Sequence, residues 1–246
     1  SIDLKETGAL LNLSGGDARK LLNLFELVID ALGNDPVVTD EAVQEIAQQK
    51  TVIYDKDGEM HYDIISAFIK SIRGSDPNAG LYYLARMIEG GEDVKFIARR
   101  LVILASEDIG NANPTALVIA TNTFQAVNMI GYPEAEIVLG QCVTYLACSP
   151  KSNASYMGIK KARKLVKETG NLPIPMQIRN APTKLMKDSG YGKGYKYAHD
   201  YPGNFVPMEF MPEDLNKTVL YNPGNNAREN EMRKRLQQQW KDKYGY

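Results

Sequence analysis

The chain has 246 residues, 43% of them apolar and 24% charged, with a formal net charge of −1. That length allows one or two domains with a sizeable core, and no apolar run nears the roughly 20 residues of a membrane span. The opening Ser-Ile-Asp-Leu-Lys-Glu is neither a secretory signal nor a transit peptide; it also lacks an initiator Met, so the expectation is a trimmed piece of a longer protein.

The first helix signal is Asp17 to Leu32. Ala18, Leu21, Leu22, Phe25, Val28, Ile29 and Leu32 recur at helical spacing, and Gly33 ends the run. Thr39 is positioned as an N-cap, with Val38 and Val43 spaced as a hydrophobic staple, for a helix carrying Ile46 and Ala47. These elements predict a small helical unit ending near Lys50. Tyr54-Asp55-Lys56-Asp57-Gly58 then predicts a tight turn or short hairpin. Its resemblance to a calcium loop fails for want of a third early ligand and an acidic closing residue.

A longer helical array follows. Tyr62–Ile72 carries Ile64, Ile65, Phe68, Ile69 and Ile72, with Gly74 just beyond. Asp76-Pro77 is a helix start, with an acceptor at the N-cap and Pro at the first helical position, and Leu81, Leu84, Ala85 and Ile88 form the next stripe before Gly90-Gly91. Helices are predicted over Phe96–Ala105, Pro114–Ile130 and Pro133–Ala147. Their apolar residues fall on more than one side, as expected of helices buried in a bundle or a subunit interface. Ser155–Glu168 closes the array with Lys160, Lys161, Arg163, Lys164 and Lys167 on a basic face.

Beyond Gly170 the composition changes to Pro, Gly and Tyr. This stretch is expected to be extended and loop-rich, with room for short strands, and to drape over the array. Arg228–Tyr244 is polar, charged and helix-prone. The charge divides too: residues 1–150 hold 11 Lys and Arg against 21 Asp and Glu (−10), and residues 151–246 hold 18 against 9 (+9). The basic third suits nucleic acid or an acidic partner, or it docks on the acidic part within or between chains.

Catalytic chemistry is not visible. Gly190-Tyr191-Gly192-Lys193-Gly194 lacks the spacing and the Ser/Thr of a nucleotide-binding P-loop. His61 and His199 lie far apart in sequence, so no metal site is assigned, and Cys142 and Cys148 are expected as reduced core thiols. Gly15-Gly16-Asp17-Ala18-Arg19 places an Arg in the first turn of a helix and off its apolar stripe. It can meet an anion such as a phosphate there, or pair with a neighbouring carboxylate. Lys184, Lys187, Lys193 and Lys196, interleaved with Tyr191, Tyr195 and Tyr197, are candidates for phosphate contact and base stacking, or for packing that holds the tail between subunits.

Gly16-Asp17-Ala18-Arg19 followed by Leu22-Asn23 resembles the sensor-2 motif in the helical lid of clamp-loader-like AAA+ proteins. Ser71-Ile72-Arg73-Gly74-Ser75-Asp76-Pro77, Phe96-Ile97-Ala98-Arg99-Arg100-Leu101 and Ser106-Glu107-Asp108-Ile109-Gly110 look like the replication-associated recombination protein A family (RarA/MgsA), whose eukaryotic relative is the Werner-helicase-interacting ATPase. So do Tyr145 to Asn153 and Asn180 through Pro202, and the likeness runs over essentially the whole chain.

The resemblance implies a mainly α fold: an AAA+ lid over residues 1–60, then a helical tetramerisation domain over 61–246 with a wrapped, irregular tail. It implies a DNA-dependent ATPase, acting in replication-fork maintenance, recombination and repair, assembled as a homotetramer and associated with single-stranded-DNA-binding protein. The expected location is the cytoplasm, at the nucleoid, with no membrane contact. ATP and Mg would be held mainly by a core domain upstream of Ser1. Arg19 would take the sensor-2 role on the γ-phosphate, and these residues alone would be inactive. The alternative is a stand-alone nucleic-acid-binding or assembly module without ATPase activity.

Overall fold

A computed structural model of the chain describes residues 2–16, 18–33, 35–51 and 59–246; within these, the side chains of residues 19–20, 48–51, 59–62 and 242 are left aside. The described residues form eleven α-helices and one pair of two-residue strands, so the fold is mainly α, as expected. The turn predicted at Tyr54–Gly58 lies outside the described residues.

The first unit contains helices α1 (Gly8–Ser14), α2 (Ala18–Leu32) and α3 (Asp40–Thr51). Gly15 and Gly16 join α1 to α2 at φ values of 57° and 84°, a left-handed turn that favours glycine. Thr39 caps α3 as predicted, its hydroxyl accepting the Ala42 N–H at 3.2 Å, and Val38 and Val43 are both fully buried. Asp40 reaches back to α1, where its carboxylate accepts the Ala9 N–H at 2.7 Å. A Cβ on Gly8 would stand 2.7 Å from that carboxylate, so glycine is what admits it.

Two features of this unit depart from the sequence reading. Strands β1 (Asp3–Leu4) and β2 (Val37–Val38) pair in parallel, with Asp3 opposite Val37; two residues are too few for an alternating pattern to announce a strand. Leu22, assigned to the buried stripe of α2, is 65% exposed. It lines an apolar hollow of about 200 Å³ with Leu4, Leu10, Leu11 and Phe25.

The array is built from α4 (Glu59–Arg73), α5 (Pro77–Glu89), α6 (Val94–Leu104), α7 (Thr115–Ile130) and α8 (Ala135–Cys148). Its core includes Ile64, Phe68 and Ile72 from α4, Ile97 and Leu101 from α6, and Leu139, Val143 and Leu146 from α8. The Asp76 carboxylate accepts the Ala79 N–H at 2.9 Å and Pro77 stands at the first turn, so the predicted start of α5 is realised. The buried side of α5 is rotated from the predicted stripe: Gly80, Leu84 and Met87 face the core, and Leu81 and Ala85 face outward. Gly80 explains the rotation, since a Cβ there would lie 3.0 Å from Val143 and 3.3 Å from Ile72.

Helix α6 runs into a π-helical turn, Ala105–Ile109, and Gly110 follows at φ 49° against the Ser152 carbonyl. Helix α9 (Ala154–Thr169) closes the array. Beyond Gly170 no strand occurs among the described residues. The stretch instead folds into 3-10 turns and the short helix α10 (Lys184–Asp188), because its prolines and positive-φ glycines interrupt any ladder. Helix α11 (Ala227–Trp240) follows, with a 3-10 turn at Lys241–Lys243 after it. Trp240 packs edge-on against Phe205 at 5.2 Å and Tyr244 at 5.3 Å, and the Lys243 ammonium sits 4.7 Å from the Trp240 ring while pairing with Glu209 at 2.9 Å. These contacts tie residues 205–211 to α11.

Candidate functional site

Three places carry the functional candidates. The first is the turn into α2. Its backbone puts Arg19 in the opening turn of the helix, as the sequence predicts; the Arg19 side chain and Asp17 lie outside the described residues.

The second is the outer face of α7 and α8. Residues 109–133 carry no charged side chain, and α8 has Glu136 alone. Folding leaves large apolar groups of these helices outside: Val118 is 56% exposed, Met129 82% and Ile137 70%. Scattered apolar groups are ordinary on a surface, but a helix face without charge is the composition of an interface centre. The opposite side of α7 is buried through Ala116, Ala120, Thr123 and Val127, so both sides of the helix are apolar or neutral, as the sequence pattern predicts.

The third is the basic tail. Lys184 and Lys187 stand on α10, and Lys193 and Lys196 on the following loop; all four are exposed, and none is ion-paired to a described residue. Tyr195 and Tyr197 are 51% and 55% exposed. Tyr191 is half-buried under the Arg179 guanidinium, 5.3 Å from its ring centroid, which leaves it packed within the tail. His199 lies 5.1 Å from Tyr197, ring to ring. Among the described residues no group of His, Cys, Asp and Glu is placed to hold a metal ion, and no helix is long and apolar enough to cross a membrane. Cys142 is buried and Cys148 exposed, and both are free thiols.

A structural joint escaped the sequence reading although its segments carried the family likeness. Arg73, Asp108, Ser152 and Glu229 come from α4, the π-helical turn, the α8–α9 loop and α11. The Arg73 Nε donates to Asp108 at 2.6 Å, and the Ser152 N–H donates to the Asp108 carbonyl at 2.7 Å. Glu229 is wholly buried and accepts from Tyr221 at 3.1 Å and from the Asn226 amide at 2.6 Å. Burial pushes its carboxyl upward, but hydrogen bonds from Ser152, Asn226, the Gly224 N–H and Tyr221 outweigh it and hold the group below its ordinary value. The Lys151 ammonium donates to the carbonyls of Leu146, Ala147 and Ser149, closing the end of α8. The available signal was the glycines: a Cβ on Gly110 would stand 2.9 Å from the Ser152 carbonyl, and one on Gly224 2.6 Å from Glu229.

Comparison with known proteins places this arrangement. The family described as MgsA AAA+ ATPase C terminal matches residues 74–240, and that described as AAA C-terminal domain matches residues 1–73. The break falls one helix after the division expected at 60/61. The 60/61 position falls in the first turn of α4 and the matches meet at its end, and its Ile64, Phe68 and Ile72 belong to the array core. Replication-associated recombination protein A of Coxiella burnetii is 43% identical over 93% of this chain and 53% of its own length. The Escherichia coli K12 protein of the same name is 40% identical over 93% of this chain and 52% of its own length. ATPase WRNIP1 of Dictyostelium discoideum is 37% identical over 87% of this chain and 27% of its own length. The chain thus spans about half the length of the bacterial relatives it matches. It belongs to the MgsA family of AAA+ ATPases and corresponds to the carboxy-terminal region of its members.

Proposed function

We propose that this chain is the lid and tetramerisation region of a clamp-loader-like, DNA-dependent AAA+ ATPase acting in replication-fork maintenance and recombination. The observation that carries the assembly role is the charge-poor surface of α7 and α8, with Met129 and Ile137 standing in water in the single chain. The lid is residues 1–60, and the apolar hollow around Leu22 gives it a surface to press on an ATPase core. Arg19, in the first turn of α2, acts as sensor 2 on the γ-phosphate of ATP. Mg and the remaining phosphate contacts belong to that core, so these residues hydrolyse no ATP by themselves. The assembled protein works at the nucleoid in the cytoplasm and meets single-stranded-DNA-binding protein there.

Light scattering on the chain at several concentrations tests the assembly role. A stable tetramer is the expected result, and a monomer at every concentration overturns it. A second reading, contact between the basic tail and DNA, is favoured by the four exposed lysines of the tail and by exposed Tyr195 and Tyr197. Lys193→Glu with Lys196→Glu should lower DNA affinity and flatten its salt dependence.

A further inference from the structure

We propose that the tail holds a seat for one unpaired base of single-stranded DNA, in the cavity where Tyr195 and Phe210 meet Asn180. The inference rests on the reading that the basic tail contacts DNA, and it assigns that contact a pocket.

The cavity has a volume of about 510 Å³. Tyr195 and Phe210 both line it, and they remain 51% and 45% exposed. Two large rings left open beside one cavity fit a flat apolar guest, and every base offers such a face. Asn180 lines the same cavity, is exposed, and is hydrogen-bonded to no other described residue. Its amide has both donor and acceptor free, which is what a base edge requires.

The walls are fixed before any guest arrives. The Gly192 N–H donates to the Met176 carbonyl at 2.9 Å, and the Tyr195 N–H to the Gly192 carbonyl at 3.2 Å. Gly192 has φ 73°, and a Cβ there would lie 3.3 Å from the Arg179 carbonyl, so a side chain would strain this wall. Arg179 is anchored through its Nε to the Ile174 carbonyl at 2.7 Å, and Phe210 rests edge-on against Trp240 at 6.3 Å. A preformed site loses little ordering entropy on binding.

Charge favours a polyanion. Between residues 179 and 197 stand Arg179, Lys184, Lys187, Lys193 and Lys196 against Asp188 alone. Arg179 lines the cavity, and Lys193 and Lys196 flank Tyr195 in sequence, so cationic groups are at hand for the phosphates beside a seated base. Addition of an extended peptide to a sheet edge has no place here, since no described strand lies beyond Gly170. A duplex keeps its bases stacked and cannot fill the pocket without unpairing one.

The test uses the full chain and labelled 20-nucleotide probes: oligothymidylate, an abasic strand of equal length and charge, and a duplex. Oligothymidylate should bind about tenfold tighter than the abasic strand. Tyr195→Ala should shrink that ratio to within about twofold, and Tyr195→Phe should retain it. Lys193→Glu with Lys196→Glu should weaken both strands. Equal binding of the intact and abasic strands, both weakened by lysine reversal, overturns the pocket and leaves the DNA reading standing. Absence of binding at low salt, or binding indifferent to lysine reversal, overturns both. An acidic peptide whose binding is lost with Tyr195→Ala, while oligothymidylate binding is not, overturns the base assignment in favour of a peptide. The comparison of intact and abasic strands needs no variant, so it decides the matter even where Tyr195→Ala fails to fold.

Discussion

The Arg73 Nε lies 2.6 Å from the Asp108 Oδ1, and this ion pair fastens the last turn of α4 to the π-helical turn after α6. The side chain of Asp108 is 10% exposed and that of Arg73 44%, so the carboxylate is the buried partner. Its other oxygen, Oδ2, is buried without a hydrogen-bond partner among the described residues. Arg73→Ala would therefore strand a charge in a dry site. The expected cost is roughly 2–3 kcal/mol, below the ~3–5 kcal/mol of a fully dry pair because water reaches Arg73. Urea denaturation checks this. A loss under about 0.5 kcal/mol, the range of ordinary surface substitutions, would show that the pair does not hold the two turns together.

Glu229 makes the attachment of α11 sensitive to acid. Its folded carboxyl lies below the ordinary value of 4.5, because the hydrogen bonds it accepts outweigh its burial. A group depressed on folding stabilises fully above its unfolded value, and that contribution disappears as pH falls through the folded value. The sensitive window is therefore on the acid side of 4.5. Glu229→Gln should cost about 1–3 kcal/mol at neutral pH, since an amide group would face the donors of Tyr221 or Asn226. It should also flatten the fall in stability across that window. Trp240, at the end of α11, provides the fluorescence signal, and an unchanged acid profile in Glu229→Gln would refute the assignment.

The two thiols should react very differently. Burial pushes the Cys142 thiol up to about 11, against a weaker opposing hydrogen bond with Thr123, whereas Cys148 is exposed. A thiolate is the reactive form, so Cys142 should be inert near pH 8. Titration with a thiol-specific chromophore should count one group in the folded chain and two in denaturant. Two fast thiols under native conditions would mean that the α7–α8 packing opens readily.

Much of the fold is legible from local signals. Asp76-Pro77, Thr39, Gly33 and Gly74 mark helix ends by capping or backbone geometry, and each acts on its own few residues. What depends on distant partners is not legible. The rotation of α5 is set by Val143 and Ile72 across the bundle, so Leu81 enters the apolar stripe in the sequence but sits at the edge of the buried face in the fold, 39% exposed beside Gly140. The π-helical turn and the Glu229 joint likewise need segments far apart in sequence to meet. The basic tail shows the same division. Composition singles out its lysines and tyrosines, but the cavity shared by Asn180, Tyr195 and Phe210 exists only once the loop at Gly192 has folded against Arg179.

Assembly through the α7–α8 face can be tested without disturbing the single chain. Met129 stands in the last turn of α7 and Ile137 in the first turn of α8, and at 82% and 70% exposure neither supports the core. Replacing each with Glu should change the stability of an isolated chain by no more than about 0.5 kcal/mol. In an interface centre the same change buries a charge against apolar groups, which costs several kcal/mol per contact and is repeated at every copy. Met129→Glu with Ile137→Glu should therefore lower the solution mass to monomer or dimer while helical content holds. If the tetramer survives the double change, its contacts lie elsewhere, and the charge-poor helices owe their composition to another partner.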